Sequence, residues 1–254
     1  MSIESESDLI AIKKVSEAVA NTLRMMREFA KPGMSTLELD EYGGELLKEY
    51  GAKSAPNVTY GFPGYTCISI NNEVAHGIPS DTKILKDGDL VNIDVSAELD
   101  GFFSDNGGSF ILGEDVNHLS SLVEASKDIL YQAIHQIKGG VKISDIGRLI
   151  EAEAKKRGLT VIKNLAGHGI GRSLHEEPHD ILCYPDPLNK NRFRKNSVVA
   201  IETFISTRAT YAYENADGWT METKDGSFVA QHEHTILVTD GVPVILTEAN
   251  AIWD

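Results

Sequence analysis

One passage of this chain occurs twice. KPGMSTLELDEYGGELLKEYGA (31–52) aligns without gaps on KGGVKISDIGRLIEAEAKKRGL (138–159) at an offset of 107 residues. Lys31, Gly33, Lys48 and Gly51 fall on Lys138, Gly140, Lys155 and Gly158. Four identities in 22 carry little by themselves. The register persists downstream, however, because Ile93-Asp94 falls on Ile201-Glu202 at an offset of 108. Each copy reads as helix, helix, a loop with histidine, and two strands that each carry a carboxylate.

The local signals agree with that order. Residues 8–30 place Ile12, Val15, Val19, Leu23, Met26 and Ala30 at three- and four-residue steps, one apolar helical face, and Lys31-Pro32-Gly33 ends it. Ser35 with Glu38 forms a capping box that opens a second helix, closed by Gly51. Residues 119–137 repeat the helical spacing with Leu122, Ile129, Ala133 and Ile137, Gly139-Gly140 stops it, and a further helix runs to Gly158. The second copy holds about twenty extra residues before Glu233. The expectation is a single domain over 1–254, with repeat bounds of about 8–115 and 116–246. It is a duplicated α+β unit whose two sheets share one core, with the carboxylates facing each other across a pseudo-twofold axis.

Those carboxylates stand where a chain built only to fold would place apolar residues. Asp94 lies within LVNIDVSAEL, Glu202 within SVVAIETFIS and Glu233 within SFVAQHEHTILV, runs rich in Val, Ile and Phe. Ionised carboxylates are almost never buried alone, since desolvation costs too much. Asp94 and Asp105 flank Asp100-Gly101, a two-residue hairpin signal. Paired positions then sum to 201, so Asp105 faces Ser96, and Asp94 and Asp105 share a face roughly 7–8 Å apart. Asp105 also fits as the start of a loop, Asp105-Asn106-Gly107-Gly108. Glu233 shares its face with Gln231 and Thr235, while His232 and His234 point the other way, a pattern that a half-exposed strand explains nearly as well. His168 lies in GHGIGRSLHEEPHD (167–180), where a loop histidine of purely structural role is the competing reading. Taken jointly, two Asp, two Glu and one His form an oxygen-rich donor set suited to Mn(II), Fe(II) or Co(II), with Zn(II) within range. Four carboxylate charges balance two divalent cations and leave a shared water to be ionised near neutral pH. That is machinery for hydrolysis.

Composition removes other classes. Lys plus Arg number 24 against 38 Asp plus Glu, a net charge of −14, which argues against a nucleic-acid or anionic-membrane binder. The amino terminus, MSIESESDLI, lacks the basic and apolar segments of a signal peptide. No apolar run approaches the ~18 residues of a membrane span. Cys67 and Cys183 sit in neither a CxxC nor a finger spacing, which fits free thiols in a reducing cytosol.

AHGIP (75–79), NIDVSAELDGFFSD (92–105), GHGIGRSLHEEP (167–178), AIETF (200–204) and AQHEHT (230–235) together resemble the type I methionine aminopeptidases, in order, from about residue 8 to 246. The resemblance implies the pita-bread α+β fold and two divalent metal ions, with Co, Mn, Fe(II) and Zn as candidates. By that likeness Asp94 and Asp105 bind one ion, His168 and Glu202 the other, and Asp105 and Glu233 bridge them. Glu202 is also the proton carrier, His175 the hydrogen-bond partner of the scissile carbonyl, and His76 the contact to the scissile amide nitrogen. Phe62, Cys67, Leu174, Phe204 and Trp219 fall on the family's methionine pocket. The activity implied is removal of the initiator methionine from nascent peptides in the cytoplasm, best before a small second residue, by a monomer that allows docking near the ribosomal exit tunnel.

Three positions depart from the family pattern: Thr59 where an aromatic is common, Asn106 where Thr is common, and Thr203 where Pro is usual. Asn106 is expected still to hydrogen-bond a carboxylate, and Thr203 to loosen the aim of Glu202. Glu202 follows His168 by only 34 positions, which leaves no room for the helical insertion of type II enzymes. An X-Pro dipeptidase or aminopeptidase P shares the fold and ligands but normally carries a substantial N-terminal domain. A non-catalytic pita-bread binding protein would have lost ligands and gained basic extensions.

Overall fold

The structure is a computed structural model describing residues Ile3–Trp253; Met1, Ser2 and Asp254, which end the 1–254 span read as one domain, lie outside the described residues. Helix α1 (Glu6–Phe29) starts at Ser5, whose side chain accepts from the Asp8 amide, and buries Ile12, Val15, Val19, Leu23 and Met26. Helix α2 (Thr36–Glu49) carries both hydrogen bonds of the Ser35–Glu38 capping box. A one-and-a-half-turn helix that the apolar spacing did not announce, α3 (Ala55–Tyr60), ends at Gly61 in the left-handed region. Helices α4 (Ser120–Gln136) and α5 (Ile143–Lys156) follow in the second half.

Two long antiparallel pairs form the centre. Leu90–Leu99 and Phe102–Ile111 make a hairpin, while Val198–Ser206 pairs with Val229–Leu237. The two meet where His232 faces Gly108, so one ten-stranded sheet runs through both halves. Helix α1 packs on the first pair and α4 on the second. Val95, Ile93, Val199 and Ile201 are fully buried, as the Val- and Ile-rich runs require. The structure continues the correspondence between halves into the smallest elements. Lys53 pairs with Glu98 and Thr160 with Ser206; Ser35 bridges Ile84 and Lys142 bridges Arg192. Each second member lies 107 or 108 residues after its counterpart. These are the pseudo-twofold halves of the pita-bread fold, with an antiparallel sheet and flanking helices.

The extra residues of the second half have a place of their own. Tyr213–Glu214 and Met221–Glu222 form a small sheet with Glu73–Ala75 of the first half. This sheet joins the halves again, on the side where the acidic face lies.

Candidate metal centre and peptide pocket

The first hairpin turns at Asp100 and Gly101, with φ of 54° and 81°, the backbone a tight two-residue turn requires. Its register sets Ser96 opposite Asp105 and Asp94 opposite Gly107, so period-two alternation puts both aspartates on one face. The strand runs through Asp105 to Ile111, so Asp105 is not the start of a loop. On the second pair Glu202 stands directly opposite Glu233. Like charges in that position repel unless something between them is positive. The Glu233 strand is buried along nearly its whole length, not half-exposed.

His168 enters from a strand, Ala166–Gly169, which corrects its reading as a loop histidine. It pairs with Ala200, two residues before Glu202. The two flanking glycines make this possible: a Cβ on Gly167 would lie 2.5 Å from the Ala200 carbonyl oxygen, and one on Gly169 2.3 Å from that of Glu177. No apolar alternation marks so short a strand, and glycine in a strand usually signals close backbone approach. His76 follows the strand Glu73–Ala75 with φ of 56°, an uncommon backbone for a residue with a side chain.

A cavity of about 300 Å³ gathers these groups. Asp94, Asp105, His168, Glu202 and Glu233 line it, together with His76 and His175. The apolar positions Phe62, Cys67, Leu174, Phe204 and Trp219 line it too. Phe62 and Trp219 meet edge to face at 5.2 Å between centroids, Trp219 arriving from the turn that joins Tyr213–Glu214 to Met221–Glu222. The rings of His168 and His175 are 4.1 Å apart.

The electrostatics call for a cation. Ligand atoms of Asp105, His168 and Glu233 lie within 4.8 Å of one another, with His168 Nε2 3.9 Å from Asp105 Oδ2. Asp105 Oδ1 and Glu233 Oε1 are buried with no hydrogen-bond partner among the described residues. A buried polar atom left unmade costs ~1–3 kcal/mol, and more when charged. Burial pushes the Glu202 carboxyl up to about 8, with the Asp94 charge adding to it. Burial likewise raises Asp94 to about 6. Asp105 and Glu233 are driven well above the usual carboxylate range by burial and by neighbouring acids. Burial lowers His168 to about 3, which keeps its imidazole neutral and able to ligate. Acids that crowd together and shed charge, an oxygen left bare on each side and a neutral imidazole fit a divalent metal site.

Several groups here escaped the sequence reading. Gln231, noted only as a neighbour on the Glu233 face, donates from Nε2 to Glu233 Oε2 (3.0 Å) and to Glu202 Oε2 (3.4 Å). Its Oε1 accepts from Asn92 Nδ2 at 2.8 Å, tying the two hairpins together behind the acids. Asn164, His179 and Asp180 also line the cavity, and no spacing marked them. Thr59 does not reach the cavity; the aromatic ring at its rim comes from Tyr60. Asn106 is a correction: its side chain bonds the Val95 carbonyl and accepts from Asn250, and no carboxylate. Thr203 is fully buried, its hydroxyl 3.1 Å from that of Ser126 on α4, so the freedom expected of it is absent.

Comparison with known proteins places this architecture. The model for metallopeptidase family M24 matches residues 10–240, and the chain belongs to that family. It is therefore a hydrolase of the metal-dependent peptidase class. It is 50% identical over 248 residues to methionine aminopeptidase 2 of Bacillus subtilis, covering 98% of this chain and 100% of that one. The Escherichia coli methionine aminopeptidase is 38% identical over 248 residues, covering 97% and 94%. The crystal structure of the Thermotoga maritima methionine aminopeptidase superimposes with a TM-score of 0.92 at 36% identity, over 97% of this chain and 99% of that one. Prolidase from Pyrococcus furiosus, at 21% identity and a TM-score of 0.77, shares the fold, and the chain spans 65% of its length.

Proposed function

We propose that this metallopeptidase removes methionine from the amino terminus of newly made peptides, best when the second residue is small. The observation that carries the reading is that five metal-type donors and the apolar side chains of Phe62, Cys67, Leu174, Phe204 and Trp219 line one cavity. The donors would hold two divalent ions, Asp94 and Asp105 on one, His168 and Glu202 on the other, with Asp105 and Glu233 shared. Co, Mn, Fe(II) and Zn all suit such a set. When bound, these ions supply Lewis-acid polarisation of the scissile carbonyl and a lower pKa for the attacking water.

The protein groups divide the remaining work. Glu202 takes a proton from the attacking water and hands it to the amine nitrogen that leaves as the C–N bond breaks. His175 donates a hydrogen bond to the carbonyl oxygen as negative charge develops there. His76 contacts the scissile amide nitrogen. The methionine side chain enters among Phe62, Cys67, Leu174, Phe204 and Trp219, where thioether–aromatic contacts favour it. The whole of 1–254 acts as one catalytic domain, with its internal repeat at about 8–115 and 116–246. The work belongs in the cytoplasm, where initiator methionine is exposed, and the buried free thiols of Cys67 and Cys183 suit that compartment. A monomer acting beside the ribosomal exit tunnel is the simplest arrangement.

The test is a pair of peptides offered to the metal-loaded protein. Met-Ala-Ser should lose its methionine while an Ala-Pro peptide remains intact. Cleavage of the Ala-Pro peptide alone would make the chain an X-Pro peptidase, and cleavage of neither would make it a binding protein.

A further inference from the structure

The Tyr60 hydroxyl lies 2.7 Å from His175 Nδ1, and the two rings lean together with centroids 5.7 Å apart. Tyr60 is the last residue of α3 in the first half, and His175 lies just before the strand Glu176–Leu182 in the second. Both line the cavity, so their contact bridges its rim from one half to the other. Phenolic oxygen is a poor acceptor compared with an imidazole nitrogen, so this bond is stronger with the O–H donating to Nδ1. The hydrogen bond at one ring nitrogen decides which tautomer the other presents. With Nδ1 accepting, the proton stays on Nε2, which is then a donor. With Nδ1–H donating instead, Nε2 would be an acceptor and would repel a carbonyl oxygen gaining charge.

We infer that Tyr60 is a positioning residue that holds His175 in its Nε2–H tautomer and so aims a donor at the scissile carbonyl. The inference rests on the peptidase reading for its purpose, and on the 2.7 Å contact for its substance.

The test compares the full-length wild type with Tyr60→Phe, which keeps the ring and removes only the hydroxyl. Protein labelled with 15N in its histidines and freed of metal reports the His175 tautomer directly by long-range 15N–1H correlation at pH 7.5. Wild type should show Nε2–H, and Tyr60→Phe a mixture with Nδ1–H. With Mn(II) restored and Met-Ala-Ser as substrate, kcat should fall about two- to tenfold while KM stays within about twofold. Titration calorimetry with Mn(II) should give unchanged affinity, since no ligand is touched. An Nδ1–H tautomer in wild type, or the same tautomer in both proteins, would overturn the inference, as would a loss confined to KM. A wild type that cleaves no methionyl peptide would strike the peptidase reading, while the NMR comparison would still decide what Tyr60 does.

Discussion

Among single residues, Glu202 carries the most chemistry. Removing it as Glu202→Ala deletes both a ligand and the proton carrier, and kcat on Met-Ala-Ser should fall by at least ~10²–10⁴ with the circular-dichroism spectrum unchanged. Activity at the wild-type level in that variant would contradict the assignment. His175→Ala should lower kcat by roughly 10²–10³ and leave KM within a few-fold, because its bond strengthens only as the carbonyl oxygen gains charge. A raised KM at constant kcat would refute it. Much at this scale could be read from sequence, because a carboxylate inside Val-Ile runs is costly and parity about Asp100-Gly101 fixes which face it takes. Gln231 and Tyr60 could not. A buried glutamine next to Glu233 carries no charge anomaly to announce it, and Tyr60 finds His175, 115 residues away, only once the halves close.

At the element scale the short histidine strand is the tightest construction. Gly169→Ala would drive a Cβ to 2.3 Å from the Glu177 carbonyl oxygen, a backbone atom that cannot rotate away. The variant should lose ~1–3 kcal/mol in urea unfolding and bind Mn(II) more weakly, since His168 must shift with its strand. Unchanged stability and affinity would show that the strand has slack. The connection between the Glu202 and Glu233 strands offers a pH test. Hydrogen bonds from Ser227 and then from Arg208 hold the Asp225 carboxyl down to about 2, from an ordinary 3.8. A carboxyl depressed on folding stabilises above its unfolded pKa and loses that contribution as pH falls through its folded one. The stability gap between wild type and Asp225→Asn should therefore be full at pH 5 and narrower by pH 3; a gap that widens toward pH 3 would reverse the sign. Long elements were legible here because apolar periodicity over many turns leaves little choice. The helix α3 and the strands of two to four residues were not, because they are set by contacts between halves.

At the scale of the whole molecule, the pairing of both hairpins in one sheet creates the acidic cavity, and nothing within either half alone would do so. The 107-residue offset foretold this, whereas the small sheet that carries Trp219 to Phe62 has no counterpart in the first half and left no periodic trace. If divalent ions neutralise the crowded acids, chelation should lower the melting temperature by about 5–10 °C and readdition should restore it. Calorimetry without that shift would mean the carboxylates are content without metal. The most direct measurement is anomalous diffraction at the manganese edge from crystals soaked in Mn(II). Two peaks roughly 3.5–4 Å apart are expected, one beside Asp94 and one beside His168, with Asp105 and Glu233 between them. No peak in the cavity, or manganese bound only elsewhere on the acidic surface, would contradict it.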